Sequence, residues 1–234
     1  MRDLIKSKAP KDFKTYVEPF VGTGDIFLSL NLDPSVKAVI NDLDPIVAQS
    51  HKIIKSNPSI ANLEKYNMSD TELQAFVRKT ASTPLDKLAK NLAIMCGSYG
   101  GIVKENAKIY KFPPLAPKLN KIPDLAEYMK NTTITQQDYR AVFRKYDSPS
   151  TFIYLDPPYE KSADLYKEGV IDYEDMAKII KSAKGKVMLS INDSPQIRAV
   201  FKGLKISKVR VRGGAHGDQS DVGQDRNELL ITNY

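Results

Sequence analysis

The chain has 234 residues, 41% of them hydrophobic and 27% charged, and its 35 Lys and Arg against 28 Asp and Glu leave a net charge of +7. That length suits one large domain, or a domain with an insertion; the apolar runs are too short to span a membrane and no export signal opens the chain. Cys96 is the one cysteine, which excludes an internal disulfide, and His51 and His216 stand far apart without cysteine companions, against both a zinc site and a Ser-His-Asp triad.

The first 56 residues alternate strand and helix. "TYVEPF" (Thr15–Phe20) predicts a strand, and "GDIFLSL" opens a helix after a glycine turn. "VKAVIN" (Val36–Asn41) predicts a second strand, and "PIVAQSHKIIKS" a helix with Pro45 in its first turn. From residue 57 to about 130 no strand pattern occurs. "SDTELQAFVRKTA" carries a Ser69 cap, and "PLDKLAKNLAIMCG" has apolar positions at helical spacing and stops at Gly97. "SYGGIVKENAKIYKFPPLAPKLNKIP" reads as a loop, followed by a helix over roughly Asp124 to Lys130.

From Thr132 the alternation returns. Strands are predicted at "TTITQ", "TFIYL", "KVMLSIN", "KISKVRVR" and "NELLITNY", with helices at Tyr139–Tyr146, Asp172–Ala183 and Pro195–Phe201. Repeated βα units predict an α/β fold with a doubly wound, mostly parallel sheet. The short polar link between the last two strands suits an antiparallel pair. The helical stretch 57–130 then reads as an insertion into a sheet domain made of 1–56 and 131–234.

Two strand ends carry ligand chemistry. Gly22 and Gly24 lie between the first strand and its helix, where glycine permits positive φ and close approach of a ligand. Asp42 ends the second strand, roughly 18 residues beyond Gly24, where an acid can take two ribose hydroxyls. A dinucleotide fingerprint wants a small residue at position 27, and Phe27 stands there. With no GK[ST] phosphate signal either, the pattern points to S-adenosylmethionine rather than a nicotinamide cofactor. Asp138 and Tyr139, after a later strand, are placed for the cofactor's adenine, the acid for its amino group and the ring for its face; Asp138 also suits a helix cap.

The most specific signal is Asp156-Pro157-Pro158-Tyr159, which ends the strand "TFIYL". An exocyclic amine on a nucleobase is a poor nucleophile, because its lone pair is conjugated into the ring. Acceptors on its N–H bonds localise that pair and stabilise the cation that forms. The Asp156 carboxylate supplies one acceptor and the Pro157 carbonyl another, while Tyr159 stacks on a base flipped out of the duplex.

"EPFVGTGDIF", "NDLDP", "YLDPPY", "LSINDS" and "NELLITNY", in this order, resemble the Dam-type DNA adenine-N6 methyltransferases of bacteria and phages. The resemblance implies a Rossmann-like, S-adenosylmethionine-dependent methyltransferase sheet whose last strand is antiparallel. It implies that Phe20, Gly22, Thr23 and Gly24 line the methionine and ribose end of the cofactor and that Asp42 takes the ribose hydroxyls. Asp138 and Tyr139 meet its adenine, and Asp156, Pro157, Pro158 and Tyr159 hold the target adenine. Residues 57–130 correspond to a target-recognition domain, and double-stranded DNA is the partner of a cytoplasmic protein, nucleoid-associated or in an infected cell. Asp at 156 separates this reading from the same chemistry on cytosine N4, where Ser is commoner; RNA as acceptor stays open. The family usually starts with a Lys-Trp-Ala-Gly-Gly-Lys-like segment that closes over the cofactor. This chain starts "MRDLIKSKAPKDF" and has no tryptophan. Either the sequence is trimmed of that segment, or another residue, a protein partner or self-association completes the cofactor site, and a DNA-binding or inactive subunit is the alternative reading.

Candidate DNA contacts follow from charge and aromatic content. Lys104, Lys108 and Lys111 can meet phosphates, and Tyr99, Tyr110 and Phe112 can stack or wedge. Lys208, Arg210 and Arg212 share one face of a strand by period two. His216, Asp218 and Asp221 resemble metal ligands only superficially, and no metal site is expected.

Overall fold

The computed structural model describes residues 1–97, 113–158, 171–212 and 225–234. By contact density the chain divides into two compact units, Met1–Leu43 with Thr135–Tyr234, and Asp44–Ile134.

The first unit is built on a twisted sheet. Its strands are β1 (Thr15–Glu18), β2 (Lys37–Asn41), β3 (Thr133–Thr135), β4 (Thr151–Leu155), β5 (Lys186–Asn192), β6 (Lys205–Arg212) and β7 (Asp225–Thr232). The sheet order is β3-β2-β1-β4-β5-β7-β6. β2, β1, β4 and β5 pair in parallel, so Glu18, Asn41, Leu155 and Asn192 end at one edge. β7 runs antiparallel between β5 and β6. This is the Rossmann-like sheet that the resemblance implied, and the reversal of order at β1 and β4 opens a crevice at that carboxyl edge.

β4 is buried at every position, as its β-branched and aromatic run requires of a strand covered on both faces. Val17, Ile153, Leu155, Leu189 and Ile191 face one core, filled by α8 (Tyr139–Tyr146), α9 (Tyr173–Ser182) and α10 (Pro195–Val200). Their alternates face the other side, where Tyr16 stacks on Phe27 of α2 (Asp25–Leu30) at 6.3 Å and meets Phe152 at 5.7 Å. α1 spans Arg2–Lys8 and buries Ile5. The starts of α8, α9 and α10 carry their sequence signals: Asp138, Asp172 and Ser194 accept from backbone N–H groups as N-caps, and Pro195 occupies the first turn of α10.

The second unit is helical apart from part of β3. It comprises α3 (Pro45–Lys55), a 3-10 turn at Leu63–Tyr66, α4 (Asp70–Phe76), α5 (Pro84–Gly97), α6 (Leu115–Leu119) and α7 (Ile122–Tyr128). Ser69 and Glu72 form a reciprocal capping box on α4. Asp86 joins the 3-10 turn to α5, accepting from Lys65 Nζ (2.9 Å), Tyr66 Oη (2.8 Å) and Thr83 Oγ1 (2.8 Å). The division falls at 43/44 and 134/135, whereas the sequence placed it at 56/57 and 130/131. α3 belongs to the helical unit because it packs on α5 and α7, with Asn91 Nδ2 donating to Ser50 Oγ at 3.0 Å. α6, read as loop from its prolines, is held by Leu115 and Leu119, both fully buried.

Candidate active site

The turn from β1 to α2 follows from its glycines. Gly22 (φ 49°) and Gly24 (φ 81°) both take the left-handed conformation, and a Cβ on Gly22 would meet nothing within 4 Å. Conformation therefore demands glycine there, and the space over the turn is open. Gly22 N donates to Asp42 Oδ2 at 2.9 Å, so the acid that ends β2 is tied to the turn it faces.

Beside it, Asn41 does what no local signal announced. Its side chain is 1% exposed. Nδ2 donates to Pro19 O and Gln137 O, both at 2.9 Å, and Oδ1 accepts from Gln137 N (2.9 Å) and Thr135 Oγ1 (2.7 Å). All four hydrogen bonds of one carboxamide are made. They join the ends of β1, β2 and β3, the loops that carry Phe20, Asp42 and Asp138.

Asp138 caps α8, its Oδ1 accepting from Arg140 N at 2.8 Å and its Oδ2 from Arg140 Nη1 at 3.2 Å. Tyr139 is 3% exposed and packs against Phe20 with ring centroids 5.4 Å apart, while the Arg140 guanidinium lies 4.7 Å from its centroid. Burial pushes the phenol pKa up, and the Asp175 and Asp138 charges add to that. Little of the Tyr139 face is open to a ligand, in contrast to the expected contact with the cofactor adenine; the ring instead backs Phe20. Thr23 is exposed in the glycine turn.

Asp156 stands immediately beyond β4, abreast of β5. Ser190 Oγ donates to its Oδ1 at 2.9 Å. Protein atoms crowd the carboxyl and raise its pKa to about 6, against the Ser190 hydrogen bond and with help from the Glu228 charge. Asp156 is itself exposed to solvent, so water tempers the push that full enclosure would give. Pro157 is buried, Pro158 half-buried, and Tyr173 Oη donates to Pro158 O at 2.7 Å, which fixes the exit of the turn. Glu18, at the end of β1, is 1% exposed and accepts from Tyr16 Oη at 2.5 Å. Burial holds its carboxyl well above the usual range, against the Tyr16 bond and with the neighbouring Asp156 and Asp42 charges adding to the rise. Its only sequence signal was an acid closing an apolar strand.

Tyr159, Tyr99, Lys104, Lys108, Tyr110, Lys111, Phe112, His216, Asp218 and Asp221 lie outside the described residues. Lys208 and Arg210 are exposed on β6, the edge strand, two residues apart and so on one face, with Arg212 at the strand's end. Among the described residues no group of three His, Cys, Asp or Glu is placed to hold a metal ion.

A positive-φ glycine turn under open space, an acid bonded to that turn and a carboxylate at the next strand end fit a cationic adenosine ligand bound without phosphates. The family model of the D12 class N6 adenine-specific DNA methyltransferases matches residues 1–95 and 106–212. The chain is 25% identical over 261 aligned positions to the Type II methyltransferase M1.LlaDCHI of Lactococcus lactis subsp. cremoris, covering 98% of this chain and 90% of that one. To the DNA adenine methylase of Haemophilus influenzae it is 24% identical over 242 positions, 91% of this chain and 82% of that one. Among solved structures, the precorrin-6y C5,15-methyltransferase of Geobacter metallireducens GS-15 aligns with a TM-score of 0.47 and 8% identity, covering 100% of this chain and 86% of that one.

Proposed function

The chain belongs to the D12 class of N6 adenine-specific DNA methyltransferases, and from that membership we propose that it methylates adenines at a defined site in duplex DNA after flipping the target base out of the stack. S-adenosylmethionine is the cofactor, and when bound it supplies an electrophilic methyl group on a sulfonium. The glycine turn and Asp42 hold its ribose end, and Phe20, backed by Tyr139, lies beside it. Asp156 and the Pro157 carbonyl accept from the two N–H bonds of the adenine amine. The methyl carbon bonded to N6 would come from that sulfonium, whose sulfur would keep the electrons of the broken carbon–sulfur bond. The two acceptors stabilise the positive charge on N6 before its proton is lost. No covalent intermediate with the protein is required. Tyr159 stacks on the flipped base. The helical unit 44–134, with Tyr99, Lys104, Lys108, Tyr110 and Lys111, reads the site and its backbone, with Lys208, Arg210 and Arg212 on flanking phosphates.

The observation that carries this reading is the Asp156 carboxylate at the carboxyl edge of β4, next in the sheet to β1 and its glycine turn. One variant and one fluorescent duplex test it. Asp156→Ala should lose methyl transfer by at least about a thousandfold while duplex affinity stays within threefold. A duplex with 2-aminopurine at the target position should brighten on binding, because a flipped base is unstacked. An Asp156→Ala protein that transfers methyl at the wild-type rate would refute the assignment, and unchanged fluorescence on stoichiometric binding would refute flipping.

A further inference from the structure

The catalytic carboxylate is the end of a chain of hydroxyls that nothing above assigns. β4 and β5 pair in parallel with Tyr154 opposite Met188 and Leu155 opposite Leu189, which brings Asp156 abreast of Ser190. Side chains alternate along a strand, so Tyr154, Asp156 and Ser190 share the face that also carries Tyr16 and Glu18. Ser190 is 1% exposed and Tyr154 fully buried. Tyr154 Oη lies 2.8 Å from Ser190 Oγ, and Ser190 Oγ lies 2.9 Å from Asp156 Oδ1.

The direction of this chain is fixed by proton count. A serine hydroxyl has one proton, and the carboxylate can only accept. Ser190 therefore donates to Asp156, and the Tyr154 phenol donates to Ser190. Two hydroxyl dipoles align on one carboxylate oxygen, and each bond polarises the next. Apolar residues would fill these places as well, as Phe152 does two residues earlier on the same face of β4. We infer that Tyr154 and Ser190 are positioning residues for methyl transfer, which hold the Asp156 carboxylate in one rotamer with Oδ1 occupied and Oδ2 turned to the substrate amine. They also stabilise the anion against the crowding around it and against the charge of Glu228 on β7. The inference rests on the role given to Asp156 above.

The test uses Ser190→Ala and Tyr154→Phe, small truncations that leave backbone pairing intact. Single-turnover methyl transfer at saturating cofactor and DNA should fall about 10- to 100-fold in Ser190→Ala, the range of a lost charge-assisted hydrogen bond. In Tyr154→Phe it should fall several-fold. In both, the acid limb of the pH–rate profile should move to higher pH, because a carboxylate that loses a donor holds its proton more tightly. Cofactor and DNA dissociation constants should stay within twofold. A loss of rate with the acid limb unmoved would reduce the hydroxyls to structural filling and overturn the inference, as would unchanged rates in both variants. A second readout does not need activity. In protein labelled with 13C at aspartate carboxyls, the resonance removed by Asp156→Asn should titrate at higher pH in Ser190→Ala than in the wild type, and an identical titration would also overturn the inference. Should Asp156→Ala retain activity, the role of Asp156 itself falls; should it be inactive while Ser190→Ala is normal in rate and titration, only the relay falls.

Discussion

Replacing Asn41 by Asp changes one atom and should disable the cofactor site. The native carboxamide gives two protons and receives two, and every partner is in place at 2.7–2.9 Å. An aspartate has no proton to give at neutral pH, so an oxygen would face the Pro19 and Gln137 carbonyls across 2.9 Å. Each carbonyl left without a donor in a buried place costs about 1–3 kcal/mol. The carboxylate, only 1% exposed at that position, would in addition shed its charge by taking up a proton, which restores one donor and confines the penalty. The sum is about 3–5 kcal/mol lost from unfolding stability at pH 8, with part of it recovered as pH falls toward the unfolded carboxyl pKa of about 3.9. Because the bonds join the loops of Phe20, Asp42 and Asp138, cofactor affinity should fall more than tenfold under conditions where the variant is still folded. Urea unfolding and calorimetric titration with S-adenosylmethionine read the two effects. A variant within about 0.5 kcal/mol of the wild type, with unchanged cofactor affinity, would refute the reasoning.

Four further outcomes follow from particular residues. The protein atoms around Asp156 raise its pKa to about 6, an effect that its exposure to solvent weakens; a folded pKa above the unfolded value of about 3.9 means stability declines as pH rises through that interval. Asp156→Asn should thus raise Tm at pH 8 and leave it unchanged below about pH 4, while abolishing methyl transfer. Asp86 is the opposite case: burial pushes its carboxyl up, but bonds from Lys65, Thr83 and Tyr66 outweigh it and hold the pKa at about 2. Its contribution is present above about pH 3.9 and lost as pH falls toward 2, so Asp86→Asn should cost about 1–3 kcal/mol at pH 7 in urea unfolding, a difference that closes in acid. A Cβ on Gly185 would sit 2.7 Å from Thr151 O and 2.8 Å from Ser148 O, both backbone; Gly185→Ala should destabilise by about 2 kcal/mol or more in the same assay. Lys208→Ala and Arg210→Ala should each weaken duplex binding and lower the slope of log K against log salt by about 0.9, the signature of one lost phosphate contact.

What the sequence disclosed divides along a physical line. β4, β5 and β6 are legible to the residue, because long β-branched and apolar runs stop at proline, polar or glycine signals. β1 ends early, at Glu18, where Pro19 interrupts the ladder. The helix at Leu115–Leu119 is hidden in a proline-rich stretch, since tertiary burial of two leucines, not local propensity, holds it. The turn at Gly22 and Gly24 and the strand ends before Asp42 and Asp156 are readable because backbone geometry and strand ends are local properties. Asn41, Ser190 and Tyr154 are not, because their partners lie 96, 34 and 36 residues away along the chain. Tyr139 shows the same limit from the other side: its place after a strand suggested a ring against the cofactor adenine, and the amphipathic face of α8 turns it into the core.

The most direct measurement is the chemistry itself. The purified chain, incubated with methyl-labelled S-adenosylmethionine and either unmethylated duplex DNA, RNA or no acceptor, should yield one labelled nucleoside by mass spectrometry after digestion, N6-methyldeoxyadenosine from the DNA alone. Label in a ribonucleoside or in N4-methyldeoxycytidine, or none in a protein that binds both cofactor and duplex, would contradict the account.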